Sequence, residues 1–311
     1  MQQKGSAETM IYKNFQGIRL SALGMGAMRL PVVNGNDSEI DEKAAAAMVD
    51  YAMEHGINYY DTAWGYHGGQ SELVMGRALG KYPRERYYLA DKFPGYDLSN
   101  MDKVEPIFEK QLEKCGVSYF DFYLFHNVCE MNIDAYLNPK YGIYDYLMKQ
   151  KKAGRIRHLG FSAHGGYDVM KRFLEAYGEN MEFCQIQLNF LDWSFQDAKG
   201  KVALLKEYGI PVWVMEPLRG GKLAHLAEED EEKLKKRLTS YYDAEYRRLE
   251  KEIAAYYKQY GQDNVIQYRR LMESLSDADR RLLMERIDAF AEKYPQYEDL
   301  MTATSHITGK K

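Results

Sequence analysis

Four side chains carry the chemistry that this sequence suggests: Asp61, Tyr66, Lys92 and His126. Asp61 and Tyr66 bracket the segment Asp-Thr-Ala-Trp-Gly-Tyr, directly behind the short apolar run Gly56-Ile57-Asn58-Tyr59-Tyr60. A tyrosine is a poor acid near neutrality because its ordinary pKa is about 10. A neighbouring ammonium favours the phenolate and would bring that value down, and Lys92 is the candidate. In a partly dry setting a lysine tends to shed its proton, and a carboxylate such as Asp61 keeps it charged. His126 can orient a carbonyl oxygen through a hydrogen bond or share in the proton transfer. With no nucleophile or metal set in view, the reaction that suits this quartet is carbonyl reduction by an external hydride, with a proton delivered to the developing alkoxide. The protein would supply position and acid, and a nicotinamide cofactor (NADPH or NADH) the hydride.

Taken singly, each residue has a plainer reading. Asp61 and Tyr66 could be a turn cap and an exposed ring, His126 a satisfied core histidine, and Lys92 a solvated strand end. What joins them is the pattern of elements that must position them. After a hairpin pattern over Met10–Leu23 and a first buried strand at Leu23-Gly24-Met25-Gly26, helical and strand patterns alternate. Helices are expected at Asp41–His55 (apolar face Ala45, Met48, Val49, Met53), Ser71–Leu79, Val104–Cys115, Gly142–Ala153, Val169–Ala176 and Asp197–Tyr208. Strands are expected up to Asp61 and at Tyr87–Lys92, Phe120–His126, Ile156–Ser162, Phe183–Leu188 and Pro211–Met215. The polar residues at the strand ends, Asp61, Lys92, His126, Ser162, Gln185 and Glu216, follow one another at steps of 31, 34, 36, 23 and 31 residues. An eight-unit barrel of roughly 250 residues allots about 30 residues per unit, so each step is one β/α repeat. Parallel strands joined by crossovers of one hand point the same way, which brings all six side chains to one face. The fold class is therefore α/β, of the (β/α)8 TIM-barrel type.

Composition agrees and sets limits. A chain of 311 residues suits one such barrel plus an appendage, and 45% apolar with 28% charged residues describes a globular protein. The net charge of -4 and pI near 6.0 give no electrostatic reason to expect nucleic acid or a membrane as partner. Cys115, Cys129 and Cys184 lack paired spacing, which fits free buried thiols in a reducing cytoplasm. The N-terminus has no apolar core, so residues 1–9 read as a loose leader and the localisation as cytoplasmic. His126 and Cys129, with His67 and His164 elsewhere, match no zinc-ligand spacing, and no metal site is expected.

On these residues the sequence resembles the aldo-keto reductase family. Asp61, Tyr66, Lys92 and His126 resemble that family's catalytic tetrad in order and spacing. Gly160-Phe161-Ser162 resembles the strand whose hydroxyl holds the nicotinamide carboxamide, and Gln185 resembles the glutamine that shares this task. Met215-Glu216-Pro217-Leu218-Arg219-Gly220-Gly221 is similar to the loop over the cofactor pyrophosphate, which implies binding roles for Glu216, Leu218, Arg219 and Gly220. Where Met215 stands, many members place an aromatic ring. The resemblance covers roughly residues 10–226 and is nearest to a bacterial subgroup that often carries a ferredoxin-like cysteine cluster after the barrel; this sequence has no such cluster. It implies an NADPH- or NADH-dependent reductase of a small-molecule aldehyde or ketone, with Tyr66 as general acid.

Beyond residue 226 the sequence departs from the family pattern, which continues with a further helix, an eighth strand and a basic loop that grips the adenosine phosphate. Here residues 227–297 read as a helical segment with an apolar seam of Leu234, Leu238, Tyr242, Leu249, Ile253, Tyr257 and Tyr260, followed by a flexible tail over 298–311. Ser276 and Asp279 read as a capping box, and 264–267 is the one short strand candidate. The last β/α unit is thus expected to be missing or replaced by a helical tail, whose seam offers a surface for self-association. Losing two charge-assisted phosphate hydrogen bonds would weaken cofactor binding by about two to four powers of ten. The alternative reading is a non-catalytic barrel remnant with an exchanged C-terminus, acting as an interaction or structural protein.

Overall fold

The computed structural model describes residues 10–224, 226–233, 235 and 236. The leader, the capping box, the strand candidate at 264–267 and most of the helical segment lie outside the described residues.

The chain opens with a hairpin, β1 (Tyr12–Phe15) and β2 (Ile18–Ser21), joined by Gln16 and Gly17, both at positive φ. That conformation matches the twist of the strands it joins. Seven strands then form one parallel sheet in chain order: β3 (Met25–Gly26), β4 (Tyr59–Asp61), β5 (Tyr88–Phe93), β6 (Phe120–Val128), β7 (Ile156–Ala163), β8 (Cys184–Gln187) and β9 (Val212–Met215). Between them run α1 (Glu42–Glu54), α2 (Ser71–Leu79), α3 (Val104–Cys115), α4 (Ile133–Tyr136), α5 (Ile143–Lys152), α6 (Tyr167–Tyr177), α7 (Asp192–Phe195) and α8 (Ala198–Glu207). Local chemistry sets the helix ends. Asp41 accepts the Ala44 N–H at 2.9 Å to start α1, and Gly116, at φ +63°, closes α3 in the left-handed conformation. The short α4 and α7 were not expected; they sit in the loops after β6 and β8.

Side chains alternate across the strands, and this alternation builds two cores. Tyr60, Leu89, Phe93, Tyr123, Phe125, Leu159, Phe161 and Ile186 face the helices. Tyr59, Ala90, Phe122, Leu124 and Phe183 form an inner aromatic core, joined by Trp213 and plugged by Phe15 and Leu20 of the hairpin. The Phe15 ring lies 5.4 Å from Trp213 and 5.7 Å from Phe122. The inner side of the curled sheet is thus packed solid at its amino-terminal end.

Two expectations need correction. The first strand is not buried: only Met25 and Gly26 pair, Gly26 is exposed, and among the described residues β3 has a partner strand on one side alone. Met48, placed on the apolar face of α1, is 43% exposed, because the buried stripe runs through Ala45, Val49, Ala52 and Met53. At the other edge, Val214 of β9 is 49% exposed. No strand follows β9 among the described residues. Residues up to Ala224 form one compact unit. Of the second, residues 228–233, 235 and 236 are helical and carry pairs such as Lys233–Glu229 at 2.6 Å.

Gly160 shows how tightly β7 and β8 approach. A Cβ there would lie 2.5 Å from the Phe183 carbonyl oxygen and 2.6 Å from its ring. Gly160→Ala should therefore cost about 1–3 kcal/mol in urea unfolding; wild-type stability would show that the two strands can part freely.

Candidate active site

The inward set of the alternation brings the expected residues to one mouth. Asp61, Lys92, His126 and Ser162 each lie on the same side of their strand as the inner core, at or near its carboxyl end, and Gln185, in the first half of β8, faces the same side in register with Ser162. Tyr66 follows β4 at the start of a tight turn (Tyr66–Gly69) in which His67, Gly68 and Gly69 all have positive φ. Lys92, 2% exposed, donates to Asp61 Oδ1 and, at 2.8 Å, to the Thr62 carbonyl. Its ammonium lies 5.1 Å from the centre of the Tyr66 ring, whose edge meets His126 at 6.0 Å between centroids.

Electrostatics sorts these groups into fixed states. Burial pushes the Lys92 pKa down, but Asp61 above all, with Tyr66 and Asp91, together more than offset it and raise the ammonium above its ordinary pKa. Tyr66 departs from expectation. Its phenol is pushed above the usual tyrosine value, because burial disfavours the phenolate more than the Lys92 charge favours it, and Asp61 adds to the upward push. Lys92 does act in the expected direction; it does not win. His126 is driven well below 6.5, first by burial and then by the Lys92 charge, so its imidazole is neutral. Its Nδ1 is buried without a hydrogen-bond partner. An orphaned N–H is rarer than an orphaned acceptor, so we assign the proton to Nε2.

Behind β5 lies a second buried group of polar side chains. Asp91 points away from the mouth and accepts the Lys92 N–H at 2.8 Å, while the Gln111 amide reaches Asp91, Glu72 and the Lys92 carbonyl at 2.9, 3.0 and 3.0 Å. Lys114 neutralises Glu72. Burial, and then the Glu72 charge, raises the Asp91 carboxyl well above its ordinary range. The main chain of Lys92 is therefore clamped on both its N–H and its carbonyl.

The residues expected to hold a cofactor divide into two groups. Ser162 and Gln185 are paired in register across β7 and β8. Ser162 Oγ accepts the Asn127 N–H at 2.8 Å, which leaves its own hydrogen available to a ligand. Gln185 donates through Nε2 to Asp61 Oδ2 at 2.8 Å. Glu216, Leu218, Arg219 and Gly220 lie in the loop after β9, where Glu216, Arg219, Gly220 and Gly221 all have positive φ. Two main-chain N–H groups of this loop are already bonded within it, Arg219 to the Glu216 carbonyl at 2.9 Å and Lys222 to the Arg219 carbonyl at 3.4 Å. The arginines there are already engaged: Arg29 with Glu216 at 3.4 Å and Arg219 with Asp192 at 3.6 Å. Ser162 thus keeps a free donor for an amide group at the nicotinamide end, whereas the side-chain cations at the phosphate end are already paired. A ligand phosphate would have to draw Arg29 or Arg219 from its carboxylate.

Sequence reasoning missed Tyr59, Thr62 and Tyr96. Tyr59 donates to Asp61 Oδ2 at 3.1 Å, and Tyr96 meets His126 edge-on at 5.2 Å. Tyr59 had a signal, since two residues before Asp61 on a strand is the same face. Among the described residues no group of His, Cys, Asp and Glu is arranged to hold a metal. His67 is structural: its ring accepts the Leu30 N–H at 2.9 Å and meets the Asp37 carbonyl at 2.8 Å. All three cysteines are free and buried.

A histidine held neutral when folded but protonated when unfolded destabilises the fold as pH drops. The stability it contributes is fully present above the unfolded value of about 6.5 and is lost below it, at up to about 1.4 kcal/mol per pH unit. Between pH 6.5 and 5, His126→Gln should therefore lose less stability than wild type in chemical denaturation. Parallel slopes would show that His126 binds protons equally in both states.

The comparisons with known proteins agree with this geometry. The chain is 28% identical over 233 residues to an Escherichia coli protein named NADH-specific methylglyoxal reductase, a match covering 68% of each. To a soybean (Glycine max) protein named probable aldo-keto reductase 1 it is 26% identical, over 66% of this chain and 58% of that protein. Among solved structures, an aldo-keto reductase of Bacillus halodurans in its holo form superposes with a TM-score of 0.56 at 25% identity, covering 70% of this chain and 71% of that one. A Klebsiella pneumoniae aldo-keto reductase in complex with NADPH gives 0.53 at 21%, over 69% and 71%, a likeness of fold. The Aldo/keto reductase family profile matches residues 22–277, which reaches past the motif-bearing part and spans more than half of the sequence. On the strength of that match and of the seven-stranded parallel sheet beneath it, the chain belongs to the aldo/keto reductase family.

Proposed function

We propose that this protein reduces an aldehyde or ketone to the alcohol with NADPH or NADH, and that Tyr66 delivers the proton. The observation that carries the reading is the buried Lys92 ammonium, held by Asp61 and set 5.1 Å from the Tyr66 ring, beside a neutral His126. The nicotinamide, when bound, supplies the hydride. Everything else falls to the chain. His126, with its proton on Nε2, donates to the substrate carbonyl oxygen and orients it. Tyr66 gives that oxygen its proton as negative charge builds there. The fixed Lys92 charge favours the phenolate left behind, without waiting for solvent to reorganise. The raised pKa of Tyr66 keeps the donor fully protonated at neutral pH, so the ammonium is needed at the moment of transfer and not to ionise the phenol beforehand.

Ser162 and Gln185 would hold the nicotinamide carboxamide, and the loop from Glu216 to Gly220 the pyrophosphate. The relatives name both cofactor forms, one being called NADH-specific and another having been solved with NADPH, and the reading includes both.

A positioned general acid is worth about 10²- to 10⁴-fold. Tyr66→Phe should lower the rate of NADPH oxidation with a reactive aldehyde by at least about a hundredfold, while leaving circular dichroism and fluorescence-detected NADPH binding unchanged. Wild-type protein that turns over no faster than this variant would end the reading. If it also fails to bind either dinucleotide at micromolar levels, the non-catalytic barrel takes its place.

A further inference from the structure

Asp61 presents two oxygens to the site, and different donors occupy them. Oδ1 takes the Lys92 ammonium. Oδ2 takes the Tyr59 hydroxyl at 3.1 Å and the Gln185 amide at 2.8 Å, and the same amide reaches the Tyr59 oxygen at 3.1 Å. The directions follow from chemistry, since a carboxylate only accepts. The phenolic hydrogen goes to Oδ2, and Gln185 turns its NH2 toward both partners. Tyr59, Asp61 and Gln185 thus close a ring of hydrogen bonds at the floor of the mouth, all three buried.

We propose that Tyr59 is a positioning residue for the proton donor: its hydroxyl, with the Gln185 amide, fills Oδ2 of Asp61, so that this carboxylate serves Lys92 and does not capture the Tyr66 phenol. The proposal rests on the reading of Tyr66 as the acid. A buried carboxylate oxygen that loses one of its two donors keeps a lone pair unmet and seeks another donor, because an underserved buried charge is costly. The centre of the Tyr66 ring lies 5.1 Å from the Lys92 ammonium, which Asp61 holds, and after burial the Asp61 charge is the next influence that favours the proton on that phenol. A hydrogen bond from Tyr66 to Asp61 would aim the acidic proton away from the substrate and loosen Lys92 from its partner. Tyr59 is suited to prevent this. Burial, and then the Asp61 charge beside it, pushes its pKa well above the ordinary tyrosine value, so that it stays protonated at every working pH and never ceases to donate. Its ring also packs edge-on against Trp213 at 4.9 Å and Phe122 at 5.5 Å, contacts that a phenylalanine would keep. The hydroxyl can therefore be removed without disturbing the floor.

Steady-state kinetics and a crystal structure of Tyr59→Phe decide the matter. The expected result is a kcat lowered by about tenfold, the size of effect of one hydrogen bond to a charged group, with KM for cofactor and aldehyde within about twofold of wild type. The crystal structure should show the Asp61 carboxylate turned toward the Tyr66 oxygen. A merely structural tyrosine would change the melting temperature and leave that split between kcat and KM absent. Wild-type kcat with Asp61 and Lys92 unmoved overturns the proposal. If even wild-type protein shows no turnover above Tyr66→Phe, the reading of Tyr66 fails on its own. The crystal structure then still decides whether Tyr59 governs where Asp61 points, and an unmoved Asp61 refutes it.

Discussion

The arrangement at the mouth hangs on one buried ion pair, Lys92 with Asp61. Taking an ammonium and a carboxylate out of water costs several kcal/mol per ion, and their attraction offsets this only when the remaining hydrogen-bond capacity is filled. Here it is filled. Lys92 donates to Asp61 and to the Thr62 carbonyl, and the second oxygen of Asp61 is met by Tyr59 and Gln185. A fixed positive charge is thereby kept where water cannot screen it, beside a phenol that burial alone would make a reluctant acid. The same charge helps to hold His126 neutral. Burial, adjusted by this pair, thus sets the protonation of two neighbours: a phenol that keeps its proton until it is needed, and an imidazole that can donate without being charged.

The pair is only as well placed as the strands beneath it. On the inner side, Phe15, Phe122, Phe183 and Trp213 fill the sheet from below, so the polar residues stand on a floor that cannot collapse. On the outer side, Gln111 ties the Lys92 main chain to Asp91 and Glu72. That arrangement puts two carboxyl groups into a dry layer with Lys114 as the partner of Glu72, and Asp91 responds by holding its proton more tightly. The backbone of β5 is thus restrained from both faces, one by packing and the other by hydrogen bonds.

Much of this was legible in the sequence for a simple reason. Strand-end polar residues about 30 apart, with apolar alternation between them, define both the repeat and the face, and the structure places Asp61, Lys92, His126, Ser162 and Gln185 together. The family motifs identified the same residues. What could not be read were quantities that are sums of opposing effects in space. The direction of the Tyr66 shift depends on how much burial outweighs one ammonium, which no spacing reveals. The Gln111 network joins α2, α3 and β5, and nothing local marks its members as partners. Tyr59 looked like ordinary strand filling because its hydroxyl matters only in relation to Asp61 and Gln185. The exposure of Gly26 and Val214 likewise follows from which strands have neighbours, a property of topology.

Neighbouring residues on β5 send an ammonium and a carboxyl group to opposite sides, Lys92 inward and Asp91 outward, and each has its partners only in its own layer. A strand that slipped by a single position would exchange them, because the side-chain period is two. An acidic group would then stand where the cation belongs, and an unpaired cation would sit among the helices. The loop before β5 can absorb a change of length, but a residue inserted within the strand, between Tyr88 and Lys92, would put the lysine on the helix side and leave the reaction chamber without its cation.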